Sequence, residues 1–333
     1  MALSIKDIAR AAKVSHSTVS RALRDSHLVN PETAERIRKI ASQANFRVSA
    51  VGRSLATGRT NSIGVVVTSI ADPFTAEVVN GIEDKANARG YSVILATSRA
   101  DPDREIRVVR SFEERRVDGI LVMSSHVGSL YTPLLRDMRI PIVLINSRPC
   151  VESVCSVAID NLAASEAATR FLIQLGHRSI GYIGDALGLE SNLERLAGYR
   201  QALESAGVLQ RAEYVTQADG QAEGGVLAME RLLSLPEPPT AVFCYNDMTA
   251  IGALSAVHAR RLKVPGDVSV VGFDDLTISS VVYPPLTTIR QPKERMGRMA
   301  TEILLNILHG SAAETSRRVQ GELIVRESTA PPR

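Results

Sequence analysis

The sequence lacks any long apolar run. A membrane-spanning helix needs roughly 18 or more consecutive apolar residues, and the longest stretch here, Ile140 to Ile145, has only the length of a strand. No signal-peptide core is present either. The opening MALSIKDIARAAK interleaves charges with apolar residues, so nothing points to export. Cysteine is scarce: Cys150, Cys155 and Cys244 cannot all pair with one another and form no CxxC motif. That usage excludes a disulfide-stapled scaffold and fits a reduced, cytoplasmic chain.

Catalytic signatures are missing as well. There is no GxSxG, HExxH, Walker or GxGxxG pattern. The six histidines are scattered, without a second ligand type at metal-binding spacing. His177, within Gly176-His-Arg178, reads as a surface loop residue. Asp247 with Asp274 and Asp275 is a carboxylate set that an acid/base mechanism would use, but nothing places a substrate between them. An enzyme, a metal and a cofactor are therefore not expected, and no catalytic residue is assigned.

What is present is an ordinary globular composition, with 44% hydrophobic and 23% charged residues in 333. That length suits two or three domains. The net charge of +3 hides an asymmetry. Residues 1–60 hold 11 Lys/Arg against 4 Asp/Glu, and the remainder holds 28 against 32. A basic head on a mildly acidic body points to a head that meets a polyanion.

Within that head, Ser4 to Asp7 has capping-box spacing and opens a helix in which Ile5, Ile8, Ala9 and Ala12 form one apolar stripe. The chain breaks at Lys13-Val14, and Ser15 caps a second helix over 16–23. At 100° per residue, Thr18, Val19, Ala22 and Leu23 share one side, while His16, Ser17, Ser20 and Arg21 share the other. Asn30-Pro31 starts a third helix that turns Ile37, Ile40, Ala41 and Ala44 inward. Three short helices with a tight break between the first two match a helix-turn-helix unit. A helix fits the DNA major groove, and an arginine there can pair with guanine through two hydrogen bonds. A small three-helix bundle that docks a protein would share the same apolar pattern.

The body alternates strands with amphipathic stretches. Candidate strands are 63–68, 91–97, 118–123, 142–146, 156–160, 179–184, 240–245 and 269–274. Candidate helices include 75–88, 103–115, 161–175, 193–206 and 247–261. This alternation is the signature of an α/β fold, and some 270 residues suit two lobes. Ligands bind beyond the C-terminal ends of strands in such sheets. Asp72 and Phe74, Asn146, Asp160-Asn161, Asn246-Asp247, Asp274-Asp275 and Gln291 follow predicted strands, and Arg195 sits at a helix start. A polyol or sugar would satisfy this mixture of carboxylates, amides and one guanidinium. Taken singly, each of these Asp and Asn residues also suits a turn or a helix cap.

Residues 4–23, and above all V-S-x-x-T-V-S-R from Val14 to Arg21, resemble the DNA-binding module of the LacI/GalR family of bacterial transcription regulators. The resemblance implies that His16, Ser17 and Arg21 read bases, with Ser20 beside them. Residues 45–56 resemble the family's hinge helix, which implies that Leu55 wedges into the minor groove. The body is similar to the family's effector domain through Asp118-Gly-Ile-Leu121, Gly176 to Gly184, Phe243 to Gly252 and Pro284 to Pro292. By this resemblance Asp72, Phe74, Asn146, Arg195, Asn246, Asp274 and Gln291 contact a ligand.

The architecture so implied is an all-α helix-turn-helix head (1–46), joined by a hinge helix and linker (47–60) to an α/β, two-lobed, periplasmic-binding-protein-like effector domain (61–333). Its lobes would be about 61–160 plus 292–320 and 161–290 plus 321–333. The implied function is that of a homodimeric repressor of carbohydrate uptake or breakdown genes. It would bind palindromic double-stranded operator DNA under control of a sugar or sugar-derived effector, with no membrane association. Two alternatives stand beside it: a sugar-receptor module whose N-terminal helices dock a protein, and a corepressor-dependent, purine-type regulator. Departures from the family pattern fall at Val48, often proline, Gly52, often alanine, and Asn146-Ser147, often Asp-Arg. No aromatic residue stands near Gly220, where many relatives stack one on the ligand. Gly52 costs the hinge helix about 1 kcal/mol against alanine.

Overall fold

Helix α1 (Ile5–Ala12) begins where the Ser4 backbone N–H and hydroxyl both donate to the Asp7 carboxylate, at 2.9 and 2.6 Å. It stops at Lys13, which adopts the left-handed conformation at φ 53° and turns the chain into α2 (His16–Ala22). There Ser15 Oγ accepts from the Thr18 N–H at 3.1 Å. Helix α3 (Pro31–Gln43) starts with Asn30 Oδ1 accepting from the Glu32 N–H. Ile8, Ala9 and Ala12 close on Val19 and Ala22, on Val29, and on Ala34, Ile37 and Ala41. Because so many of these side chains are alanine, the helices approach closely around a few larger groups. The Arg36 guanidinium donates to the Ala12 carbonyl, fastening α3 to the end of α1.

This computed structural model describes residues 4–23, 27–44, 46, 58–125, 138, 140–147, 154–311 and 316–333. It divides into a unit ending at Asn61 and one from Ser62 to Arg333. The hinge segment with Leu55, and Cys150, lie outside the described residues.

The large unit holds two six-stranded sheets, with strands numbered along the chain. The first contains β1 (Ser62–Val67), β2 (Ser92–Thr97), β3 (Gly119–Met123), β4 (Ile142–Ile145), β5 (Cys155–Ile159) and β11 (Ser316–Val319). Its order is β11-β5-β4-β3-β1-β2, all parallel. The second contains β6 (Ile180–Asp185), β7 (Val215–Ala218), β8 (Ala241–Cys244), β9 (Ser269–Asp274), β10 (Thr287–Arg290) and β12 (Glu322–Ile324). Its order is β12-β10-β9-β8-β6-β7, parallel except for the antiparallel β12. The chain passes from sheet to sheet three times: after β5, after β10 and after β11. The two-lobed α/β expectation is thus met.

All eight candidate strands form, and the run ahead of Gln291 forms β10. Three that were not expected, β7, β11 and β12, lie at sheet edges. Edge strands need only one covered face, so sequences such as Ser316-Arg-Arg-Val319 carry no buried-strand pattern. The helices α4 (Pro73–Asn87), α5 (Pro102–Glu114), α6 (Asn161–Gln174), α7 (Glu190–Ser205), α8 (Ala222–Leu233), α9 (Asp247–Ala259) and α10 (Lys293–Leu308) cover the sheets. None among the described residues is long and apolar enough to cross a membrane.

One expectation fails. His177 is not a surface loop residue but is 1% exposed. Its Nδ1 pairs with Thr240 Oγ1 at 2.8 Å, and its Nε2 lies 2.9 Å from the Ala330 carbonyl. Burial lowers its pKa, so the ring pins the C-terminal segment as a neutral group. The C-terminal chain that buries it is distant in sequence, which is why the local loop pattern misleads.

Helices pair through glycine. A Cβ on Gly297 would collide with the Val78 carbonyl, one on Gly198 with that of Leu162, and one on Gly252 with that of Ala222. These close approaches join α4 to α10, α6 to α7 and α8 to α9. Gly252→Ala is expected to destabilise the protein by about 1–3 kcal/mol through overpacking, read as a lower urea midpoint. An unchanged midpoint would mean that the α8/α9 pair has slack.

Candidate functional site

On the head, the two sides of α2 separate as its phases require. Val19 and Ala22 are buried, His16, Ser17 and Arg21 are exposed, and Ser20 is half-buried. Ser17 Oγ lies 3.0 Å from Ser15 Oγ, so one of its hydrogen bonds stays within the cap. The helix therefore presents an imidazole and short hydroxyls from its N-terminal part and a guanidinium from its last turn, a set able to donate to both phosphates and base edges.

On the body, an open cleft lies between the two sheets. Thr68, Ser69, Asp72, Phe74, Ser124 and Asn146 line it from lobe one. Asp185, Leu187, Leu189, Arg195, Asp219, Gly220, Gln221, Tyr245, Asn246 and Asp274 line it from lobe two. Six of the seven expected ligand residues therefore share one wall-to-wall space. Gln291, 2% exposed, stands behind it and donates from Nε2 to Asp274 Oδ1 at 2.6 Å.

Asp274 is the centre of this arrangement. It ends β9 at φ 123°, and Asp275 follows at φ 51°. Two successive left-handed residues that are not glycine persist only when their surroundings over-determine them. The Lys293 ammonium donates to the carbonyls of both, each at 2.7 Å, and reaches Glu77 of α4 at 3.2 Å. Lys293, which sequence reading missed, thus ties the end of β9 in lobe two to helix α4 in lobe one. Asp247 is wholly buried and accepts from the Leu276 N–H and the Ser279 and Thr288 hydroxyls, fixing the next turn. With its oxygens so committed, Asp247 is no acid/base partner.

Arg195 lies in the second turn of α7, not at a helix start, because α7 begins three residues earlier than the apolar pattern indicates. Its Nε donates to Asn161 Oδ1 at 2.9 Å and one terminal nitrogen donates to the Tyr245 carbonyl at 2.5 Å. The rings of Phe273 and Tyr245 lie 3.6 and 4.5 Å from the guanidinium carbon, held by cation–π attraction. Phe74 and Tyr245 supply aromatic surface that the Gly220 segment lacks.

Two expected residues also serve as helix caps. Asp72 accepts from the Phe74 N–H and the Thr75 hydroxyl at the start of α4. Asn246 caps α9 by accepting from the Thr249 N–H, while its Nδ2 donates to the Gly220 carbonyl. Burial raises the Asp72 pKa, opposed by the bonds from Thr75 and Phe74. Asn146, at φ 55°, keeps a buried Oδ1 with no partner, as does Thr68 Oγ1. Orphaned buried polar atoms in a cleft wall mark where a polar ligand gains hydrogen bonds.

Comparison with known proteins identifies two regions. Residues 4–49 match the profile of bacterial regulatory proteins, lacI family, and residues 169–329 match a periplasmic binding protein-like domain. The chain is 36% identical over 331 residues, 98% of it and 96% of the relative, to the HTH-type transcriptional repressor CytR of Escherichia coli strain K12. It is 37% identical over 330 residues, 98% and 97%, to the repressor PurR of Serratia proteamaculans strain 568. Among solved structures, a lac repressor dimer bound to operator and the anti-inducer ONPF superposes with a TM-score of 0.91 at 26% identity, covering 99% of this chain and 100% of that one. A complex of the transcriptional regulator CelR with cellobiose superposes at 0.75 with 32% identity, covering 98% and 99%.

The environment of Asp274 sets a pH signature. Burial pushes its carboxyl up to about 8, with Arg195 and Lys293 opposing and the negative charges of Asp247 and Asp72 adding to the rise. The folded protein then keeps a proton that the unfolded chain loses above about pH 4. The contribution of Asp274 to stability without ligand falls across that window and its loss ends near pH 8. Asp274→Asn removes this loss and tolerates the left-handed backbone. The variant is expected to exceed the wild type by a margin that opens above about pH 4, grows by at most about 1.4 kcal/mol per pH unit and levels off above about pH 8. Thermal unfolding between these limits measures it; a margin largest in acid contradicts the assignment.

Proposed function

The chain belongs to the lacI family of bacterial regulatory proteins, and from that premise we propose a cytoplasmic, homodimeric repressor that binds a palindromic operator and answers to a small polar effector held between its lobes. The observation that carries this reading is the cleft, where side chains from two sheets and distant parts of the sequence converge around Asp274 and Arg195. The head supports the other half of the reading through the exposed side of α2. Arg21 is assigned to a base edge, and His16, Ser17 and Ser20 to bases or phosphates. Leu55 is assigned to the central minor groove. The division into a head (1–46), a hinge (47–60) and a two-lobed body (61–333) is part of the same proposal.

A second copy of the chain suits the surface of the body. Strand β2 is an edge strand of the first sheet among the described residues, with Ile94 and Leu95 exposed, and Val281 and Tyr283 are 75% and 92% exposed. Such edges and apolar side chains are normally covered. The mechanism is a population shift: effector closes the lobes, closure changes the spacing of paired hinges, and operator affinity follows. The effector moves this equilibrium only by its differential affinity for the two states. The cellobiose held by CelR and the hydroxyl-matching lining favour a sugar or sugar derivative, and hence genes for carbohydrate use. A corepressor-type response, in which ligand strengthens operator binding, uses the same parts with the opposite sign. The relatives are repressors, which supports a regulatory reading over an enzymatic one.

Arg21→Ala is expected to weaken specific operator binding by about 1–3 kcal/mol and to relax preference at one base per half-site. Selection from random DNA reads the preference directly. Equal loss on all sequences would make Arg21 a phosphate contact. Asp274→Ala and Arg195→Ala are each expected to weaken effector binding at least tenfold, since removing a charged hydrogen-bond partner costs roughly 1.5–3 kcal/mol or more. Calorimetric titration decides; wild-type affinity in both would move the effector out of this cleft.

A further inference from the structure

The turn between α1 and α2 is closed by a residue in the left-handed conformation. Lys13 stands there at φ 53° and ψ 43°. Its N–H donates to the Arg10 carbonyl at 3.2 Å, and the Val14 N–H reaches back to the Ala9 carbonyl at 3.0 Å. This pair of bonds ends a helix only through a left-handed residue. Glycine adopts that conformation without steric cost, whereas any residue with a Cβ is strained in it. Residues 1–46 contain no glycine, and Lys13 is the one described residue among them with a positive φ.

The side chain at this strained position is an exposed cation. Among the described residues, no ion pair or hydrogen bond holds its ammonium. Its basic neighbours are engaged: Arg10 lies 3.7 Å from Asp7, and Arg36 donates to the Ala12 carbonyl. Lys13 precedes the cap Ser15 by two residues and His16 by three. A helix with its side chains is about 10–12 Å across, and the DNA major groove is about 12 Å wide. Once the N-terminal part of α2 enters the groove, the chain just ahead of it therefore stands at the groove wall, where the phosphates lie. A cation also suits the C-terminal end of α1, but that role alone leaves DNA affinity unaffected.

We propose that Lys13 is a phosphate contact in the operator complex, a sequence-independent anchor beside the base-reading face of α2. This rests on the reading of the head as a DNA-binding unit. Glycine would relax the backbone but forfeit the charge. Strain that persists at a surface turn is thereby given a function. Phosphate contacts fix orientation and carry no sequence information, so Lys13 raises affinity for every duplex, while Arg21 and its neighbours set preference.

The test uses the full chain with two duplexes, one selected from random DNA as the operator and one unrelated, titrated over a range of salt concentrations. Each phosphate contact contributes about 0.9 to the slope of log affinity against log salt. For the two heads of a dimer, Lys13→Gln is expected to lower that slope by about 2 and to weaken both complexes about tenfold or more near physiological salt. Lys13→Gly, whose backbone suits the turn, is expected to show the same loss, and Lys13→Arg to keep the wild-type slope. An unchanged slope in the Gln and Gly variants overturns the proposal. So does a loss confined to the selected operator, which would make Lys13 a base reader, and so does wild-type affinity in Lys13→Gly, which would trace the effect to backbone strain. A wild-type chain that binds neither duplex removes the DNA-binding reading itself, and this inference with it.

Discussion

A carboxylate buried at the end of β9 organises the body of this protein. Asp274 sits in a left-handed turn, largely out of water, with its pKa raised chiefly by burial. Burying such a group is costly, so its neighbours are chosen for it. Gln291 donates to it, Arg195 lies near it as positive charge, and Lys293 grips the two carbonyls of the turn. Asp247 fixes the chain that follows. These partners come from α7, α9, the segment after β10 and α10, so one carboxylate gathers most of lobe two and the first turn of a lobe-one helix.

That last link gives the turn a mechanical meaning. Helix α4 carries Asp72 at its cap and Phe74 in its first turn into the cleft, and Glu77 one turn later to Lys293. Groups that would touch a ligand and the group that holds the Asp274 turn therefore lie on one rigid element. Glycine-mediated helix pairs make each lobe resist internal deformation. Displacement is left to the three crossings between sheets, the usual geometry of hinge motion in two-lobed binding proteins.

Much of this was legible in the sequence, and for identifiable reasons. The head's capping residues, Ser4 with Asp7, Ser15 and Asn30, act locally, so their spacing alone locates three helices. Strands covered on both faces read as apolar runs, and polar residues that end several of them, Asn146, Asn246 and Asp274, fall at the cleft, whereas Asp160 caps α6 instead. What escaped depends on contacts far apart in sequence. Edge strands such as β11 carry charges because one face is wet. His177 is buried by a segment about 150 residues away, and its local setting gives no sign of it. Lys293 looks like an ordinary helix-start lysine until the Asp274 turn closes over it. Asp185 ends β6 and lines the cleft as other strand-end residues do, although it was not among the expected ligand residues.

The proposed regulation requires operator and effector sites, carried on separate units, to share one equilibrium. Coupling of this kind is reciprocal: whatever factor the effector imposes on operator affinity, the operator must impose on effector affinity. The direct measurement is the effector dissociation constant of the full chain by calorimetry, without DNA and with saturating operator. A difference of about 5–150-fold is expected, equivalent to about 1–3 kcal/mol of coupling and equal to the change in operator affinity on adding effector. Identical constants with and without operator would contradict it.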